Sequence, residues 1–277
     1  VILVVIIAST IGLSIASRSI TSLKSSTEEA ESQKALAAAE AGIERVTQRS
    51  TPIAVDGVNP GNSSYATQVE QVNSTSFLIN GGNVIPKDEG ADVWFVKHKD
   101  DGSLDYTDYS TTSPSFLNLY WGSSSDGCGD AAIQAVIVTR AQSAPYEIKS
   151  YRYVYDPCST RRSENKFTTT NAMVNFKIND VPFLYSTPIN NLTKDITPAA
   201  SKNIILMRVI PIYKDAVIGL DTCNPSNRCY NSTSLPSQGY VVTSIGTSGQ
   251  ANRKITVFKG YPQTYLPYLS YGLFVAN

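Results

Sequence analysis

Residues Val1–Val46 read VILVVIIASTIGLSIASRSITSLKSSTEEAESQKALAAAEAGIERV, and no proline interrupts the chain before Pro52. Alanine, leucine, glutamate, lysine, glutamine and arginine dominate this stretch to about Arg49, which predicts a single helix on the order of 70 Å long. Its surface changes along its length. Val1–Ala16 is apolar nearly all round, as in a helix lying in lipid or among other apolar helices, yet at roughly 16 residues it is shorter than the ~20 of a lone membrane span. Lys24–Lys34 is polar nearly all round, with Glu28, Glu29 and Glu31 set among serines. From Leu36 onward a stripe returns at Leu36, Ala39, Ile43 and Val46, the three-and-four spacing that lays one helix face on a globular head. Ala8, Gly12 and Ala16 fall four apart on one face, where small residues let apolar helices approach closely. Gly12 and Gly42 each cost up to ~1 kcal/mol against alanine in a helix interior and are candidate bends.

Beyond Pro52 the 277-residue chain retains enough length for one large or two ordinary β-domains. The segment to about Asn62 reads as loop. Alternating or β-branched runs follow at Tyr65–Val72, Asp92–Lys97, Phe116–Trp121, Ala131–Thr139 and Tyr146–Tyr155. RRSENK, Arg161–Lys166, marks a boundary by charge and turn residues. Further runs lie at Ala172–Ile178, Ile204–Tyr213, Tyr240–Ile245 and Lys254–Lys259, the last three suggesting a meander. The expected class is therefore α+β: a long N-terminal helix over residues 1–50, then a large antiparallel β-rich head in two regions, 51–165 and 166–277.

The four cysteines point to an oxidising compartment. Of the three pairings open to four cysteines, two observations favour Cys128 with Cys158 and Cys223 with Cys229. Cys128 precedes the run AIQAVIVTR and Cys158 follows YEIKSYRYVYD, so a hairpin turning at Ser143–Pro145 brings them together. Cys223 and Cys229 close the turn-rich CNPSNRC. Neither spacing matches a zinc site.

Formal charge is balanced, with 23 basic and 23 acidic residues, which argues against nucleic acid as the main partner because phosphate binding needs a basic face. The single histidine, His98, lies beside lysines in FVKHKDDGSLD and reads as a solvated loop residue. No Ser/His/Asp set assembles around it, and no glycine-rich phosphate loop follows a strand, so no catalytic residue and no cofactor are assigned. Asp100, Asp101 and Asp105 cluster carboxylates of the kind a hard cation favours, although Asp-Asp-Gly equally encodes a plain hairpin turn. DGCGD, Asp126–Asp130, offers the same alternatives. Sequons at Asn62, Asn73, Asn191 and Asn231 mark surface loops and candidate glycan acceptors.

The order of oily, polar and amphipathic helix ahead of a β-rich head resembles the type IV pilins and the pseudopilins of type II secretion. AAAEAGIE, Ala37–Glu44, is similar to the minor-pilin branch, and LPSQGYVVTSIGTSGQANRKITVFKG, Leu235–Gly260, looks like the closing strands of that branch. The resemblance covers the first ~50 residues well and the end more loosely. It implies a non-enzymatic structural subunit, held in the inner membrane by its helix before assembly. The subunit then polymerises with itself or other pilins into an extracellular, cell-surface filament, with Ala8, Gly12 and Ala16 in the filament core. The alternatives it leaves are a tip-located or membrane-anchored adhesin whose head binds a surface ligand, and a pseudopilus subunit of a secretion system. One departure stands out: the glutamate that such chains carry a few residues into the mature protein has no counterpart around Val5.

Overall fold

A computed structural model describes residues 2–49, 52–59, 61–99, 101–107, 117–141, 144–189, 204–222 and 234–262, with backbone only at 4–9, 11 and 173–175. The protein is α+β, with a long N-terminal helix and an antiparallel β-rich body. It divides into two compact units, Val1–Glu70 with Val241–Lys259, and Gln71–Tyr240 with Gly260–Asn277. This division is discontinuous in sequence, whereas the expected regions 51–165 and 166–277 are each continuous. Strands from late in the sequence return to pair with the strands that follow the helix, which a linear scan for composition breaks cannot detect.

In the first unit, α1 (Ile2–Thr47) is one unbroken helix, so neither Gly12 nor Gly42 ends it. β1 (Asp56–Asn59) and β2 (Ser63–Gln71) form an antiparallel pair, and β12 (Gly239–Ser248) and β13 (Ala251–Gly260) extend the sheet in the order β1-β2-β12-β13. β1 lies in the stretch expected to be loop.

The helix meets this sheet through small residues. Ala35, Ala38, Ala39, Gly42 and Val46 are buried on α1, and the period-2 face of β12 answers with Val242, Ser244, Gly246 and Ser248. A Cβ at Gly246 would collide with the Ala35 carbonyl and the Ala39 nitrogen, and one at Gly42 would run into Ser244 and into Tyr65 Cδ2 at 2.9 Å. The expected stripe is accordingly corrected. Ala39 and Val46 are buried and Ile43 partly so, but Leu36 is 42% exposed. The backbones approach too closely for a leucine, so the packed face rotates onto the alanines. Polar contacts fix the register: Gln250 N–H donates to Glu31 Oε2 (3.3 Å) and Arg253 Nε to Ser32 Oγ (2.9 Å). Lys259 Nζ donates to the Thr47 and Arg49 carbonyls, both at 2.6 Å, placing a cation where the helix dipole is negative.

The second unit holds two antiparallel sheets. One has the order β4 (Ala91–Trp94), β10 (Ile204–Ile212), β6 (Ala132–Arg140), β7 (Ile148–Tyr155); the other runs β3 (Ser76–Leu78), β11 (Gly219–Asp221), β5 (Asn118–Trp121), β9 (Val181–Pro188), β8 (Asn171–Ile178). Val93, Ile133, Ile137, Met207 and Val209 from the first sheet share one core with Phe77, Leu119, Trp121, Tyr185 and Leu220 from the second. β6 and β10 are buried on both faces, which accounts for their near-continuous apolar runs. β10 therefore lies in a different sheet from β12 and β13, and the expected meander of the last three runs does not form.

β6 and β7 pair from Ile133↔Tyr155 to Arg140↔Ile148, and just beyond this hairpin Cys128 is disulfide-bonded to Cys158. Cys223 and Cys229 lie outside the described residues. RRSENK marks no break: it falls in a short helix, α2 (Ser159–Asn165), and its αL cap Lys166.

Candidate functional site

Residues 2–30 of α1 present the most unusual surface among the described residues. The packed face begins at Glu31, and before it every described side chain is exposed. Ile2, Leu3, Leu13, Ile15, Ile20 and Leu23 are 66% to 78% exposed. Large apolar side chains disposed around a helix require an apolar neighbour, because each left in water forgoes about 1.5–3 kcal/mol of burial. Of the expected packing residues, Gly12 and Ala16 are exposed, and among the described residues no atom would lie within 4 Å of a Cβ at Gly12. The side chain of Ala8 lies outside the described residues. No helix among the described residues is long and apolar enough to cross a membrane; Thr10, Ser14, Ser17 and Arg18 interrupt the oily run. Lys24 pairs with Glu28 along the helix at 3.8 Å, both well exposed.

His98 is not the solvated loop residue that its lysine neighbours suggested. Its ring stacks on Tyr261 (centroids 3.7 Å, planes 5° apart) and meets Trp94 edge-on at 4.5 Å. Burial lowers its pKa to about 4, and its buried Nδ1 has no hydrogen-bond partner among the described residues. Tyr240 completes the cluster edge-on to Tyr261. Gln238, in the LPSQGY segment, locks Trp94 in place by accepting from its N–H (2.7 Å) and donating to its carbonyl (2.8 Å).

The acidic loops are self-capping turns. Asp101 Oδ1 accepts from Ser103 N and Oγ, and Asp105 Oδ1 from Thr107 N and Oγ1; these bonds hold both carboxyls below the usual carboxylate range. Asp100 lies outside the described residues. In DGCGD, Asp130 accepts from Ser123 and Ser124 N–H, and Asp126 from Ser124 Oγ and Gly129 N–H. No group of three or more metal-ligating side chains occurs among the described residues. Asn62 and Asn73 are exposed, whereas Asn191 and Asn231 lie outside the described residues.

Two polar centres escaped the sequence. Arg161 on α2 bonds both Asp156 oxygens (Nε to Oδ2 3.0 Å, Nη2 to Oδ1 2.7 Å) and the carbonyls of Cys128 and Asp130, clamping the disulfide loop. Desolvation would raise the Asp156 pKa, but Arg161, the Cys158 N–H and Asn165 outweigh it and hold it low. Arg208 on β10 and Asp92 on β4 form a buried two-pronged ion pair at 2.7 and 2.8 Å between register partners. Only the abrupt Asp and Arg in otherwise apolar runs hinted at it.

A groove of about 510 Å³ is lined by residues of β7 and β9 and by the lead-in to β8, with Tyr153, Tyr155, Arg152, Thr168, Asn171 and Thr187 among them. Among its described lining residues there is no carboxylate, histidine or cysteine. No family model, no curated protein and no solved structure matches this chain.

Proposed function

We propose that the chain is a structural subunit of an extracellular, type IV pilus-like filament, with a pilin-like layout in which the N-terminal helix forms the core and the β-rich body the outer surface. One observation carries this: a helix anchored to its own sheet only from Glu31 onward exposes large apolar side chains on all sides before that point. Before assembly the oily end resides in the inner membrane; in the filament the same surface is buried against other subunits. No chemistry is required of the folded chain, and its partners are copies of itself or other pilins.

The test is electron microscopy of the full chain and of Leu13→Asp and Ile20→Asp variants, expressed in the native cell. Both variants should fold, form the Cys128–Cys158 disulfide, and yield no fibres. Fibres of unchanged diameter from a chain lacking residues 1–16 overturn the assignment. Antibody label confined to fibre ends replaces a shaft subunit with a tip adhesin.

A further inference from the structure

The groove in the second unit lies where its two sheets are open to one side, since β7 ends one sheet and β8 the other. Successive side chains of a strand leave opposite faces. Tyr153 and Tyr155 therefore lie on the core side of β7, level with Ala135 and Ile133, and Arg152 and Val154 on the other side. All four line the groove, which accordingly runs along the edge of β7 rather than over one of its faces. Main-chain positions at the end of that edge are already filled. Thr168 N–H donates to the Val154 carbonyl (3.0 Å), and Asp156 N–H donates to the Thr168 carbonyl (2.9 Å). An incoming peptide strand finds that stretch of ladder taken, so recognition here falls to side chains.

Those side chains share one chemistry. Three threonine hydroxyls, two phenols and the Asn171 amide each donate and accept hydrogen bonds. Val154, Pro188 and the tyrosine rings add apolar surface. The one charge among the lining residues is the exposed Arg152 guanidinium, a planar fork suited to a carboxylate. Tyr155 and Thr187 are buried and joined by a side-chain hydrogen bond, which fixes the floor, while Thr168, Thr169 and Asn171 stand exposed at the rim. A volume of about 510 Å³ is that of a small-ligand site. A phosphodiester chain calls for several cations. A sugar ring bearing one carboxylate calls for hydroxyl and amide partners, an apolar face and a single guanidinium. We propose that the groove binds an acidic saccharide, a hexuronate unit of a glycan. Its carboxylate rests on Arg152, its hydroxyls on Thr168, Thr169 and Asn171, and its ring against Tyr153. The site uses no part of α1 and stands apart from the filament assignment.

Saturation-transfer NMR titration of the full chain in detergent micelles with trigalacturonate and triguluronate tests this, with maltotriose as the uncharged comparison. At least one uronate should bind saturably, and maltotriose about tenfold more weakly or not at all. Arg152→Gln should weaken uronate binding about tenfold, to the level of maltotriose. Arg152→Lys keeps the charge but loses the fork and should fall between. Asn171→Ala should weaken uronate and maltotriose alike. Lys87→Gln removes an exposed cation outside the groove and should leave uronate affinity unchanged. The three positions are exposed, so each variant should keep the wild-type melting temperature and the Cys128–Cys158 disulfide. No saturable binding of either uronate overturns the site. Equal binding of maltotriose and the uronates overturns the acidic class, and an equal loss in Lys87→Gln overturns the location. A heptapeptide of alternating threonine and valine that binds where no sugar does replaces the saccharide with an extended strand. Fibre formation is read separately, so none of these outcomes touches the filament assignment.

Discussion

The imidazole of His98 lies flat on the phenol ring of Tyr261, 3.7 Å between centroids, with Trp94 closing one edge. Burial there lowers the His98 pKa from 6.5 to about 4. The unfolded chain therefore binds a proton that the folded protein rejects between these values. Stability from this site is complete above pH 6.5 and is lost as pH falls toward about 4. His98→Phe keeps the stack and removes the titration. Its melting temperature should fall less than wild type's between pH 7 and 4, and parallel curves for the two proteins would refute the assignment.

The contact between α1 and β12 depends on absent side chains. Gly246→Val, thrust into the Ala35 and Ala39 backbone, should cost about 3 kcal/mol or more by overpacking. Leu36→Ala, on the exposed flank, should stay within ~0.5 kcal/mol. Denaturant unfolding of both variants checks the ordering, and equal effects would return Leu36 to the packed face.

Arg161 and the Cys128–Cys158 disulfide hold one loop by different means. Removing the disulfide with a Cys128→Ser, Cys158→Ser double variant should cost about 3–4 kcal/mol for a loop of 30 residues. Arg161→Ala leaves Asp156 buried without its main partner and should cost about 2–3 kcal/mol. It should also raise the Asp156 pKa, visible by carboxyl NMR. In wild type, Asp156 contributes stability above the unfolded carboxylate pKa that is lost as pH falls through its lower folded value.

The Asp92–Arg208 pair separates breaking an ion pair from replacing it. Arg208→Ala strands a buried carboxylate and should cost about 3–5 kcal/mol. Asp92→Leu with Arg208→Met should come within ~1 kcal/mol of wild type in a chemical melt, since apolar packing replaces both charges. Additive losses in the double variant would show that the pair has no coupling energy.

What was legible in the sequence follows the range of the interactions. The long helix, nine of the strands and the Cys128–Cys158 hairpin rest on local periodicity or on one short turn, and they form where expected. The short strands β1 (DGVN), β3 (SFL) and β11 (GLD) escaped because they lack the aromatic and β-branched runs that marked the equally short β4 and β5; β9 escaped despite its length, broken in pattern by Pro182 and Pro188. The packed face of α1 was misplaced at Leu36 because hydrophobicity ranks leucine above alanine, whereas the close approach of Gly246 ranks them the other way. The environment of His98 was hidden because Tyr261 reaches it from more than 160 residues away in sequence.

That sequence distance has a consequence in time. Glu31 and Ser32 are bonded by Gln250 and Arg253, with separations of 219 and 221 residues. At 5–20 residues per second, a ribosome takes about 10–40 s to deliver β12 and β13 after the helix has emerged. For that interval the alanine face of α1 lacks β12, the strand that packs most closely on it, although β1 and β2 of the same unit have already been made. Protease sensitivity of chains stalled before and after residue 260 should switch at Gln48 and Arg49 as the last strand arrives.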